Sequence, residues 1–208
     1  MRTFRNRTAR ALGLTGAVAA AALLLAACGE DGSMSGMDHG GKTASASASA
    51  SAAPSATGSF NDADVMFAQM MIPHHEQALE MAKLADGRAE DAGIKQIVAA
   101  VEQAQDPEIR KMRAWLKGWG RPESAGAGHS MAGMMSEQDM KKLADAKGKD
   151  FDRAFAELMI AHHEGAVKMA QDEQKDGANT EAKALAGEVV RAQTAEITEL
   201  RKILDRLR

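Results

Sequence analysis

The 208-residue sequence has little cysteine and few aromatic residues: it contains one cysteine, no tyrosine and 3% aromatic residues in total. A single cysteine excludes a disulfide within the chain. The sequence also lacks an excess of basic charge, since it has 26 lysines and arginines and 29 acidic residues. This balance argues against a nucleic-acid partner. No segment alternates apolar and polar residues with a period of two or is rich in β-branched residues, which argues against strands. The composition therefore predicts an all-α protein.

The N-terminus has the composition of a bacterial export signal. Residues 1–10 carry four arginines and no acid, and residues 11–27 form an apolar stretch slightly too short to span a membrane. The stretch ends in LAAC, which resembles the bacterial lipobox, whose cysteine is lipidated and becomes the new N-terminus. An ordinary signal peptide followed by a chance cysteine is the alternative. We predict that residues 1–27 are removed, which changes the net charge from −3 to −7, and that lipidated Cys28 anchors the protein to the outer face of the cytoplasmic membrane.

The mature chain divides into a tether and one domain. Residues 28–59 are rich in serine, alanine and glycine and too poor in apolar residues to fold, so we expect a disordered tether. Residues 60–208 are long enough to bury a core and should form one domain.

One helical phrase occurs twice in that domain. FAQMMIPHHEQALEMA begins at Phe67 and FAELMIAHHEGAVKMA begins at Phe155, a shift of 88 residues that also aligns residues beyond both phrases. Apolar residues recur at spacings of three and four in both copies, as amphipathic helices require. The sequence therefore predicts two equivalent helical hairpins that form a four-helix bundle, with a short helix between them near residues 136–147. Pro73 and Pro107 occur only in the first hairpin and should kink it or shift a helix start.

Both histidine pairs fall on the apolar faces of these helices. A buried imidazole with an unpaired ring nitrogen costs about 1–3 kcal/mol, so the core must supply partners for the rings. The second helix of each hairpin has a glutamine and a glutamate within its apolar stripe. These side chains could simply satisfy the histidines by hydrogen bonds, or they could orient histidines that bind a metal. The residues predicted to orient the rings are Glu76, Glu164, Gln105, Glu108, Gln193 and Glu196.

Methionines accompany all six histidines, and there are thirteen methionines besides Met1. Methionine on a helix usually fills the core, and we interpret Met66, Met112 and Met140 in that way. The tether and the glycine-rich loop have no core to fill. Thioether with imidazole suits a soft ion, and Cu(I) is the best match. The predicted primary ligands are His74, His75, His162 and His163 with Met71, Met81, Met159 and Met169; the predicted weaker sites in flexible segments use Met34, Met37, His39, His129, Met131, Met134 and Met135.

The sequence resembles the bacterial domain-of-unknown-function 305 family. The resemblance is carried by the two phrases, the segments QDPEI and QTAEI that follow them, and the intervening HSMAGMMS. The resemblance covers about residues 60–207. It implies a ferritin-like helical bundle, export from the cell and, for members with an assigned role, copper binding and copper tolerance. Leu200 is a departure, because the family tends to have methionine there and the first copy has Met112.

Three functions are compatible with the sequence. The leading hypothesis is a non-catalytic copper-binding lipoprotein that buffers or donates Cu(I), with copper-delivery or copper-accepting proteins as partners. The second is a di-iron or di-manganese enzyme, but the repeats lack the Glu-x-x-His motifs that such centres use. The third is a structural helical module that binds no metal.

Overall fold

The computed structural model describes residues 58–126 and 131–208, which contain five α-helices and no strand. This confirms the predicted all-α class and the short helix between the hairpins. No helix within these ranges is long and apolar enough to cross a bilayer. The predicted signal peptide, Cys28 and nearly all of the tether lie outside the described residues. The helices are α1 (Asp62–Leu84), α2 (Ala92–Gly118), α3 (Glu137–Asp145), α4 (Gly148–Asp176) and α5 (Thr180–Leu207).

Local sequence explains where the helices begin. The Asn61 side chain accepts the backbone N–H of Asp64, and the Asp64 carboxylate accepts the backbone N–H of Asn61, so both residues form a capping box at the start of α1. Ser136 begins α3 in the same way. Pro73 and Pro107 lie inside α1 and α2, so neither proline shifts a helix start.

The four long helices pack into a bundle in which α1 contacts α2 and α4, and α5 contacts α4 and α2. The apolar core is divided into two clusters. The first contains Met71, Met112 and Leu185, and the second contains Phe155 and Leu200. Along each long helix, the buried histidines or glutamine lie between the segments that enter the two clusters. A polar layer therefore crosses the middle of the bundle.

Two buried aspartates, 88 residues apart, join the hairpins. The Asp64 carboxylate accepts the backbone N–H of Asn179 at 2.8 Å, and Asn179 is the residue that caps α5. The Asp152 carboxylate accepts the backbone N–H of Asp91 at 2.8 Å, and Asp91 caps α2. The same contact thus occurs at both ends of the bundle, which places α1 and α4 side by side with their histidines at the same level.

Candidate metal centre

The histidine pairs lie at the centre of α1 and α4, where they form the buried part of the polar layer. None of the four rings exposes more than 1% of its surface. Their positions follow from the helical period, because each pair continues the apolar stripe of its helix.

One histidine of each pair is held by a glutamate from the neighbouring helix. Nε2 of His75 lies 2.8 Å from Oε2 of Glu108, and Nε2 of His163 lies 2.7 Å from Oε2 of Glu196. Because a carboxylate can only accept a hydrogen bond, each Nε2 must carry a proton and donate the hydrogen bond. In the neutral ring this leaves Nδ1 with a lone pair. An imidazole oriented by a carboxylate in this manner is typical of metal-binding histidines.

The other two histidines, His74 and His162, lie against each other. Their ring centroids are 3.8 Å apart and the ring planes are inclined by 40°. Nε2 of His74 donates to the carbonyl oxygen of Ala132 at 3.2 Å. His162 has no hydrogen-bond partner on either ring nitrogen among the described residues. With the Nδ1 atoms of the other three rings, this makes five buried ring nitrogens without a partner in that part of the chain.

Burial sets the protonation of this central pair. Burial, followed by the nearby His75, lowers the pKa of His74 to about 3. Burial, followed by the neighbouring His74, also lowers the pKa of His162 well below its ordinary value. Both rings are therefore neutral at physiological pH, which is the form that can donate a lone pair to a metal.

The donor set fits a soft monovalent ion better than a hard divalent one. In the described residues, no group of three or more histidine, cysteine, aspartate or glutamate side chains could hold a metal ion. Mg²⁺, Ca²⁺ and Mn²⁺ prefer sites rich in oxygen ligands, whereas imidazole and thioether suit copper. Cu(I) also accepts as few as two or three ligands. Two of the unpartnered ring nitrogens with a thioether nearby would meet that requirement.

The predicted methionine ligands differ in their placement. Met71 and Met159 are fully buried and precede His74 and His162 by three residues, a rise of about 4.5 Å along the helix axis. Met81 lies seven residues beyond His74, a rise of about 10 Å, and packs in the second apolar cluster. Met169 is only partly buried at the edge of the first cluster. Along the helix axis, the two preceding methionines are therefore nearer to the histidines than the two following ones.

Two residues predicted to orient the rings face outward instead. Glu76 forms an ion pair with Arg113 at 2.6 Å, and Glu164 forms one with Arg201 at 2.7 Å. Each follows a histidine pair at the edge of the apolar stripe, where helical rotation turns the side chain to the surface.

The glutamine and glutamate of α2 lie opposite those of α5. Gln105 and Gln193 are buried, and their Oε1 atoms have no partner among the described residues. With Glu108 and Glu196 they line a small groove between the two helices.

Residues 131–135 pack on the bundle, so the expectation that this loop has no core to fill was wrong for them. The backbone N–H of Met135 donates to Oε1 of Gln77 at 2.7 Å, and Nε2 of Gln77 donates to the Met135 carbonyl at 2.9 Å. Met135 also packs against the second apolar cluster. Met131 and Met134 are likewise half-buried. His129, Met34, Met37 and His39 lie outside the described residues.

Gly165 allows this loop to approach α4. A Cβ atom at Gly165 would overlap the carbonyl group of Ala132 and lie 2.9 Å from Cα of Gly133. The residue 88 positions earlier is Gln77, which holds the other end of the loop. Sequence reasoning missed the Ala132 carbonyl as a histidine partner, because any residue type can supply it. The feature of the sequence that could have indicated this contact is Gly165, a glycine inside α4.

Comparisons with known proteins identify the family of this chain and structures with a similar fold. Residues 64–204 match the family described as domain of unknown function (DUF305). A DUF305 protein from Streptomyces coelicolor, described as secreted, is 30% identical with a TM-score of 0.66, over 70% of this chain and 93% of that chain. A DUF305 fragment from Deinococcus radiodurans is 32% identical with a TM-score of 0.63, over 70% and 97%. CopM in its Cu(I)-bound form is 32% identical with a TM-score of 0.59, over 69% and 96%. CopM is also known in Cu(II)-bound and silver-bound forms. No curated protein matches the chain.

Proposed function

The chain belongs to the DUF305 family, and we propose that it is a non-catalytic copper-binding protein that holds Cu(I) between the two buried histidine pairs. The observation that carries this proposal is the set of five ring nitrogens that have no partner among the described residues. Core histidines kept only for packing would be satisfied by hydrogen bonds, because each unpaired nitrogen costs about 1–3 kcal/mol.

Charge supports a monovalent ion. A buried ion must be compensated, and the cost of removing it from water rises with its charge. Glu108 and Glu196 provide negative charge one hydrogen bond away from His75 and His163. They can balance a bound cation without contacting it. CopM, which is similar over most of its length, is known with Cu(I) and silver bound and also with Cu(II) bound.

The fold and the location form part of the same proposal. The four long helices would be two equivalent hairpins of a ferritin-like bundle, as the matched histidine–glutamate and aspartate contacts suggest. Lipidated Cys28 would tether this bundle at the outer face of the cytoplasmic membrane, where it would buffer copper or donate it to partner proteins. The similar Streptomyces coelicolor protein is described as secreted, which is consistent with export. Met34, Met37, His39 and His129 would capture copper weakly before it enters the bundle.

The test is competition for Cu(I) against a chromogenic chelator. We expect the wild type to hold Cu(I) tightly and in preference to Zn(II). Replacing the histidines of one pair with alanine should weaken binding, and replacing all four should abolish tight binding. The matched control replaces the outward-facing Glu76 and Glu164 with glutamine, which should leave affinity unchanged. Unchanged Cu(I) stoichiometry in the folded four-histidine variant would refute a site in the bundle core.

A further inference from the structure

Three methionines lie together on the surface, away from the histidine layer. Met66 exposes 39% of its surface and is the exposed large hydrophobic side chain of the described residues. It was expected to fill the core, and that expectation was wrong. Met66 and Met70 are four residues apart on one face of α1, and both line a pocket with Met169 of α4.

The pocket is too small for most organic ligands but ample for an ion. Its volume is about 190 Å³, whereas sites for organic ligands usually have about 300–1,000 Å³. Phe67 forms part of the wall, and Asp172, Glu173 and Asp176 contribute acidic groups. Asp172 and Asp176 are paired with Lys168 and Lys175, so they add negative charge at the rim and are not needed as ligands.

We propose that Met66, Met70 and Met169 form a second site for a soft monovalent cation, Cu(I) or Ag(I), on the surface between α1 and α4. Thioether sulfur is neutral and polarizable, so it selects Cu(I) and Ag(I) and is a poor ligand for Zn²⁺, Mg²⁺ and Ca²⁺. Each methionine side chain has three rotatable bonds, which lets three sulfur atoms converge on one ion without moving the helices. The site lies at the surface, so it would load and release its ion faster than the buried histidines.

The methionine site rests on the proposed function, because it would bind the same kind of ion as the histidine centre. Its ligands are different residues. The sequence predicts Met169 as a ligand of the histidine centre, whereas in the structure it lies at the edge of the bundle with Met66 and Met70. The two sites can therefore be tested separately.

The experiment is a titration of the full chain, labelled with ¹³C at the methionine methyl groups, with Ag(I) and followed by NMR. The methyl signals of Met66, Met70 and Met169 should move together with one midpoint. The signal of Met140, a partly buried methionine of α3 that packs against the second apolar cluster, is the internal control and should not move. Zn²⁺ should move none of the three.

A variant in which the three methionines become leucine keeps the side-chain volume and removes the sulfur atoms. It should bind one Ag(I) fewer per chain than the wild type, whereas Met140→Leu should bind the same number as the wild type. Unmoved signals of the three methyl groups at silver saturation would overturn this proposal, as would an unchanged ion count in the triple variant. If the methionine site fails either test, shifts of the histidine ring signals on addition of Ag(I) would still support the buried histidine centre. If the histidine ring signals do not shift, that result counts against the histidine centre and leaves the methionine site unaffected.

Discussion

Replacing Gly165 with alanine should force residues 131–135 away from α4. A new Cβ atom would overlap the Ala132 carbonyl and lie 2.9 Å from Cα of Gly133, and these backbone atoms cannot rotate away as a side chain can. Moving them breaks the hydrogen bond from His74 Nε2 to Ala132. One more buried ring N–H is then unpaired, at a cost of about 1–3 kcal/mol.

Gly187, inside α5, provides the matched control. A Cβ atom there would meet only the end of the flexible Gln174 side chain, at 3.2 Å. Alanine at Gly187 should therefore stabilise the protein by about 1 kcal/mol through its higher helix propensity. The same propensity gain applies at Gly165, so the difference between the two variants isolates the cost of moving the loop.

Urea unfolding of both variants, followed by circular dichroism, measures that difference. We expect Gly165→Ala to be less stable than Gly187→Ala by about 1–3 kcal/mol. Gly165→Ala should also hold Cu(I) less tightly, because His74 loses the contact that orients its ring. Equal stability of the two variants would refute the reasoning that the loop needs this close approach.

Further predictions concern the carboxylates and the anchor. Glu108→Gln should weaken Cu(I) binding by about 10–100-fold in chelator competition, because the amide orients His75 less strongly, whereas Glu76→Gln should have no effect. Burial, followed by the Asp64 carboxyl, raises the pKa of Glu173 from 4.5 to about 8. The folded chain then keeps a proton that the unfolded chain releases, so the wild type should lose up to about 1.4 kcal/mol of stability per pH unit as the pH rises between these values. Urea unfolding at several pH values should show a smaller loss for Glu173→Gln, and parallel curves would contradict the raised pKa. Cys28→Ser should release the protein from membranes in cell fractionation, and equal retention would rule out the lipid anchor.

The helices and the inward histidines could be predicted because one local rule governs both. Apolar residues that recur every three or four positions identify a helix, and His74 and His75 continue that stripe in α1. The start of α3 near residue 136 could also be predicted, because the capping side chain of Ser136 and its backbone partner are close in sequence.

The missed features depend on the path of the chain. The Ala132 carbonyl reaches His74 across 58 residues of sequence, and no residue type marks a carbonyl for that role. Glu76 lies at the edge of the stripe, where a small rotation decides between the core and Arg113. Met66 was expected in the core, but 39% of its surface is exposed among the described residues.

The division of the apolar core has a consequence for how the chain folds. Each cluster takes residues from α1, α2, α4 and α5, so neither hairpin encloses a core without the other. The hairpins are thus related as the two subunits of an obligate dimer, whose folding and association are a single event. The connection between them keeps each at high effective concentration for the other. Cut at that connection, the hairpins should remain unfolded when separate and fold when mixed, and the four histidines would meet only at their shared interface.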